Sequence, residues 1–157
     1  MQRASLAIDP GAAAWFGVRA AAATAGAGEP GKQVAMVERS ARLGEMPPLH
    51  RRDEHEAYRM LDGEVTFFVD GDVVQAASGD VVVAPAGAVR TFRVESEHAR
   101  WLVLTKVSSL TRFNDFARAV ARCGGALSPE ECQALAAIGE PNGIELLVSP
   151  GVLPGRR

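Results

Sequence analysis

Between residues 32 and 106 the chain is cut by Gly- and Pro-bearing turn signals at short, regular intervals, and that cadence limits the fold more than any other feature. Gly44 with Pro47-Pro48, Asp62-Gly63, Asp70-Gly71, Ser78-Gly79-Asp80 and Pro85-Ala86-Gly87 leave only short apolar or alternating segments between them. Their Val, Phe, Thr and Tyr content suits a half-buried pleated surface. Strands recurring every eight to twelve residues or so, with no crossover helix among them, predict an all-β sandwich or barrel. The expected strands run over 32–42, the ionisable stretch at 47–63, 64–69, 73–77, 81–84, 89–94 and 100–106. Asp62-Gly63 is expected as a two-residue hairpin turn and Asp70-Gly71 as a second tight turn, because Gly supplies the positive φ that such loops need.

Beyond residue 109 the apolar period changes from two to about 3.6. Leu110, Phe113, Phe116-Ala117 and Val120-Ala121 predict a helix that Gly124-Gly125 stops. Ser128-Pro129-Glu130-Glu131 predicts a second helix start, with Ser as N-cap, Pro at the first position and Glu at the third, and Gly139 as its end. The segments are therefore a barrel over about 12–107, a helical segment over about 109–140 and a tail over 141–157, in which the docking of 143–148 is left open. Ala- and Gly-rich residues 1–33 do not read as helix, because Gly11 and Gly17 interrupt the pattern.

A chain of 157 residues suits one domain. Its net charge of −2, with both signs interspersed, offers no electrostatic footprint for nucleic acid or an anionic membrane, and a small-molecule ligand is the better expectation. No segment reaches the roughly 18 apolar residues of a membrane span, and the start lacks a signal-peptide layout; a cytoplasmic location is expected. Cys123 and Cys132 show no metal-type spacing and are assigned no role.

The chemistry is concentrated in 47–63, PPLHRRDEHEAYRMLDG. As extended chain, it puts His50, Arg52, Glu54, Glu56, Tyr58 and Met60 on one face and Arg51, Asp53, His55, Ala57, Arg59 and Leu61 on the other.

This stretch and a second one, GDVVVAPAGAVRTFRV over 79–94, resemble the two signature motifs of the cupin superfamily. Gly44, His50, Glu56 and Gly63 stand at positions of the first motif, with Arg52 where its second histidine belongs. Gly79, Pro85 and Gly87 match the second, with Arg90 in place of its histidine and Val94 in place of its asparagine. The text EAYRMLDGEVTFFVDG, WFG near the start and GIELL near the end are similar to single-domain, quercetin-dioxygenase-like bacterial cupins. The resemblance implies a double-stranded β-helix, or jelly-roll, barrel followed here by the two C-terminal helices. It also implies pairing into a homodimer through strands at the barrel edge.

In metal-binding members the matching histidines and glutamate hold a divalent ion; this chain keeps His50 and Glu56 alone, a degenerate site. Arginine has no lone pair to offer, so Arg52 and Arg90 cannot be ligands. At about 4 Å and an effective dielectric of about 20, each would repel a divalent ion by several kcal/mol. The expected function is a metal-independent cupin, with no cofactor, that binds or acts on a small anionic or aromatic metabolite. His50 and Glu56 would be its catalytic pair, Arg52 and Arg90 its anion clamp, and Tyr58, Met60 and Phe92 further pocket residues. If an enzyme, it would perform acid-base chemistry of the isomerase or cyclase kind. One alternative is a quercetinase-type dioxygenase holding Fe, Ni, Cu or Zn on His50, Glu56 and His55. Another is a non-catalytic dimeric scaffold.

Overall fold

The computed structural model describes residues 23–25, 34–106 and 129–147. Among them are ten strands: β1 (Ala23–Ala25), β2 (Val34–Arg42), β3 (His50–Arg52), β4 (Glu56–Asp62), β5 (Val65–Val69), β6 (Asp72–Ala76), β7 (Val81–Ala84), β8 (Val89–Val94), β9 (His98–Lys106) and β10 (Ile144–Leu146). One helix, α1 (Pro129–Gly139), precedes β10. The strands form two antiparallel sheets of five, in the orders β1-β2-β9-β4-β7 and β10-β3-β8-β5-β6. This is the all-β, two-sheet architecture that the turn cadence predicts. No helix among the described residues is long and apolar enough to cross a membrane.

Period-two alternation supplies the core. Along β9, Ala99, Trp101, Val103 and Thr105 are buried while the residues between them are more exposed. β4 buries Glu56, Tyr58 and Met60 in the same way, and β8 adds Arg90, Phe92 and Val94. Rings then lock the two sheets together: Tyr58 stacks on Phe67 at 5.0 Å between centroids, and Trp101 meets Phe92 edge-on at 5.0 Å. Such pairs add about 0.5–1.5 kcal/mol each beyond the area they bury.

Three expectations about the sheets need correction. Asp62-Gly63 is a turn, with Gly63 at φ 77°, but it is not a hairpin: β4 lies in one sheet and β5 in the other. A Cβ at Gly63 would collide with the backbone of His98, so the glycine serves a close crossing between sheets. Asp70-Gly71 is the true hairpin, joining β5 to β6 with Val69 opposite Asp72 and positive φ at both loop residues. Second, the stretch at 50–62 is two strands, β3 and β4, separated by the bend at 53–55 and delivered to opposite sheets. Third, the expected tail contains β10, which pairs antiparallel with β3. Arg51 and Glu145 form an ion pair across that junction at 2.7 Å.

α1 begins at Pro129 as predicted, but Gly139 keeps helical φ and the chain runs on through a 3-10 turn to Asn142. Gly143, at φ 71°, is the residue that ends it. The predicted first helix and the Trp15-Phe16-Gly17 cluster lie outside the described residues.

Candidate functional site

The break at 53–55 preserves parity, so His50 and Arg52 from one sheet face Glu56 and Tyr58 from the other. Arg90 joins them because β8 pairs with β3, with His50 opposite Arg90. Its approach is set by the turn at Pro85-Ala86-Gly87, where Gly87 takes positive φ and its N–H donates to the Arg52 carbonyl at 2.7 Å.

Glu56 is the hub. Its Oε1 accepts from Arg52 Nη1 at 2.5 Å, and its Oε2 accepts from Arg90 Nη1 at 3.0 Å and from the Tyr58 hydroxyl at 2.6 Å. All four side chains are buried. Burial alone would push the Glu56 carboxyl up, but Arg52, Arg39 and Arg90, helped by the Tyr58 hydrogen bond, hold it down at about 2. Burial and the neighbouring carboxylate raise the Tyr58 phenol, so it stays neutral and donates.

Arg90 is committed on every side. Besides Glu56 it donates through Nε to the Ala88 carbonyl at 3.2 Å, and through Nη2 to the carbonyls of Pro85 at 2.6 Å and Glu54 at 3.2 Å. It works as a cross-link between a loop and both sheets. Glu54 itself is buried and its carboxylate reaches Lys106 Nζ at 3.3 Å.

His50 donates from Nδ1 to the Pro48 carbonyl at 2.8 Å, since a carbonyl can only accept. Desolvation holds its ring at about 4, with the Pro48 bond opposing and Arg52 and Arg90 assisting, so the ring is neutral and Nε2 is its acceptor.

These side chains border a cavity of about 20 Å³, room for a water or two. Phe92 lines it, together with Phe67 and Val69. Met60 does not; at 1% exposure it belongs to the apolar core. Arg39 does line it, and no motif pointed there. The available signal was alternation along β2, where Val37, Arg39 and Ala41 share the inward face.

A divalent ion does not fit this donor set. Both oxygens of Glu56 are held by guanidinium groups, and no cluster of three or more His, Cys, Asp or Glu suited to a metal forms among the described residues. His55, the third ligand of the dioxygenase alternative, is exposed, and its Nδ1 accepts the Ala86 N–H at 3.1 Å. It lies in the break between β3 and β4.

Residues 41–105, which hold both signature stretches and every cavity residue but Arg39, match the family profile of the Cupin domain. No curated protein sequence matches the chain. Solved structures resemble it at low identity. One, of the DMSP lyases RdDddP and RnDddQII, is 17% identical over 48% of this chain and 39% of that one, with a TM-score of 0.45. Another is the polyketide cyclase RemF of Streptomyces resistomycificus, 17% identical over 46% of this chain and 54% of that one, at 0.43. The cupin-2 domain Rru_A2000 of Rhodospirillum rubrum is 18% identical over 55% and 58%, at 0.47. The chain thus spans about two fifths to three fifths of these relatives' lengths.

Proposed function

We propose that this protein is a metal-independent cupin that takes a small anion into its barrel, as a binding module or an acid-base enzyme. One observation carries the reading: three guanidinium groups, Arg39, Arg52 and Arg90, line the cavity with one carboxylate, Glu56, while His50 is neutral. Buried charge has to be balanced, and a cavity lining with surplus positive charge favours an anionic guest. The same surplus repels a divalent cation. The cavity volume leaves no room for an aromatic guest. In such a site the cationic groups hold the anion, Glu56 positions Arg52 and Arg90, and His50 Nε2 is the base that can receive a proton from the guest.

Thermal unfolding of the full chain with acetate, bicarbonate and chloride on one side, and nickel, zinc and ferrous iron on the other, tests the reading. At a hundredfold excess over Kd, a bound anion stabilises the native state by about 2.7 kcal/mol, a rise of several degrees for a domain of this size. The metals should leave the transition where it is. A metal shift without an anion shift overturns the proposal.

A further inference from the structure

An apolar surface lies on the outer face of the sheet β1-β2-β9-β4-β7, away from the cavity. Strand register lines up Met36, Leu104, Ala57 and Val83 as one row across β2, β9, β4 and β7. All four alternate with buried residues and so point outward. Val83 is 58% exposed and Leu104 38%, and the next row adds Val81 and Leu102. Along β9, exposed Arg100 and Lys106 bracket the two leucines, an apolar centre inside a polar rim.

The charges on this face say what covers it. Leu102 is flanked by Glu38 on β2 and by Arg59 on β4, each one strand away, about 4.8 Å to either side. Glu38 has Arg100 at 3.6 Å, whereas Arg59 is exposed and has no ion pair among the described residues. β9 is the middle strand of the five. A half-turn about an axis along β9 therefore lays β4 of a second copy over β2 and brings Glu38 to the partner's Arg59, twice over, as a self-complementary contact requires. The same rotation sets Leu104 on the partner's Leu104 and Met36 against the partner's Ala57, large against small. Arg100 also approaches its own copy, and each is neutralised by the Glu38 beside it.

We propose that this face is the interface of a homodimer, two copies stacked sheet on sheet about a two-fold axis along β9. Aligned sheets pack in this way about 10 Å apart. β9 has nine residues, about 30 Å, and five strands span about 19 Å, so the contact covers roughly 600 Å² per copy. That is somewhat under the about 800 Å² per partner of a standard interface and suits a reversible dimer. The interface is independent of what the cavity binds.

Sedimentation velocity of the full-length protein from about 1 μM to about 100 μM, a range that brackets a small reversible interface, is the test. The wild type should be dimeric at the upper end and dissociate on dilution. Leu104→Glu sets two carboxylates together on the axis and should weaken the dimer at least tenfold. Val83→Glu, farther from the axis, serves if Leu104→Glu does not fold, and should weaken it by a smaller factor. Arg59→Glu and Glu38→Arg each place like charges opposite one another and should each weaken the dimer about tenfold, whereas the double exchange should restore it.

A wild type that stays monomeric throughout, or a dimer indifferent to both glutamate variants of the apolar row, overturns the interface. A double exchange no tighter than either single variant overturns the axis along β9. A monomeric wild type whose melting temperature falls by several degrees on Leu104→Glu means that another segment of this chain covers the face, and overturns a second copy as its occupant.

Discussion

The barrel interior is filled by opposite means along its length. Three layers can be followed on β4, β8 and β5: Glu56, Arg90 and Val69 at one end, then Tyr58, Phe92 and Phe67, then Met60, Val94 and Val65. The far layer is held by contact alone. Its stabilisation is non-directional, grows with buried area and tolerates shape-conserving exchange. The near layer is held by a few short, charge-assisted bonds that share one carboxylate, so each member depends on the others. Losing a methylene from the far layer costs a fraction of its energy; losing the hub of the near layer strands guanidinium groups in a dry site. The two ends therefore answer differently to mutation, pH and salt.

The largest difference should come from Glu56→Gln. Removing the hub charge leaves buried arginines uncompensated, and stability at neutral pH should fall by about 3–5 kcal/mol in urea titration. Phe67→Ala, one layer away, should cost a similar amount by leaving a cavity. The distinction lies in acid: the Phe67→Ala penalty should persist at low pH, whereas the Glu56→Gln penalty should shrink there. A Glu56→Gln penalty that stays constant down to pH 2 would break the comparison.

Next in size is exchange of cross-link for ion. Arg52→His with Arg90→His gives, with His50 and Glu56, a three-histidine, one-carboxylate lining. Nickel or zinc should then raise the melting temperature of the double variant by several degrees, about 2.7 kcal/mol at a hundredfold excess over Kd. Each single variant should respond less. A folded double variant that ignores every metal would mean that these side chains do not converge as described.

The acid profile of the wild type follows from two depressed groups. His50 sits at about 4 against an ordinary 6.5, so the unfolded chain takes its proton first and stability declines as pH falls from about 6.5 towards 4. Glu56, at about 2 against 4.5, contributes stability that is complete above about 4.5 and is lost as pH falls towards 2. The urea midpoint should thus drop in two overlapping steps. His50→Phe should remove the upper step and leave the lower one. Smallest of all, Met60→Leu in the far layer should cost less than about 1.5 kcal/mol at any pH.

Much of this was legible in the sequence because burial in a sheet obeys parity. The alternation from His50 to Met60 survives a bend that sends its two halves into different sheets, so the inward set was correct although the single strand was not. Partner strands were less legible. Asp62-Gly63 and Asp70-Gly71 look alike locally, and what separates a crossing from a hairpin is the backbone of His98, far along the chain. Arg39 escaped notice for a related reason: alternation marks β2 as two-faced, but only the register with β9, which sets Arg39 opposite Trp101, says which face is interior. β10 was hidden because three residues carry no readable period.

That last strand bears on how the protein comes into being. β3, which carries His50 and Arg52, is flanked by β8 on one side and by β10 on the other, and the Arg51–Glu145 ion pair spans 94 positions of sequence. During synthesis the chain emerges from its N-terminus at about 5–20 residues per second. The strand bearing half of the site therefore waits several seconds for its second neighbour, with one row of backbone donors and acceptors open. Until then a nascent chain can hold a folded core and an unfinished edge beside its site, an opening for chaperones or for pairing with another strand.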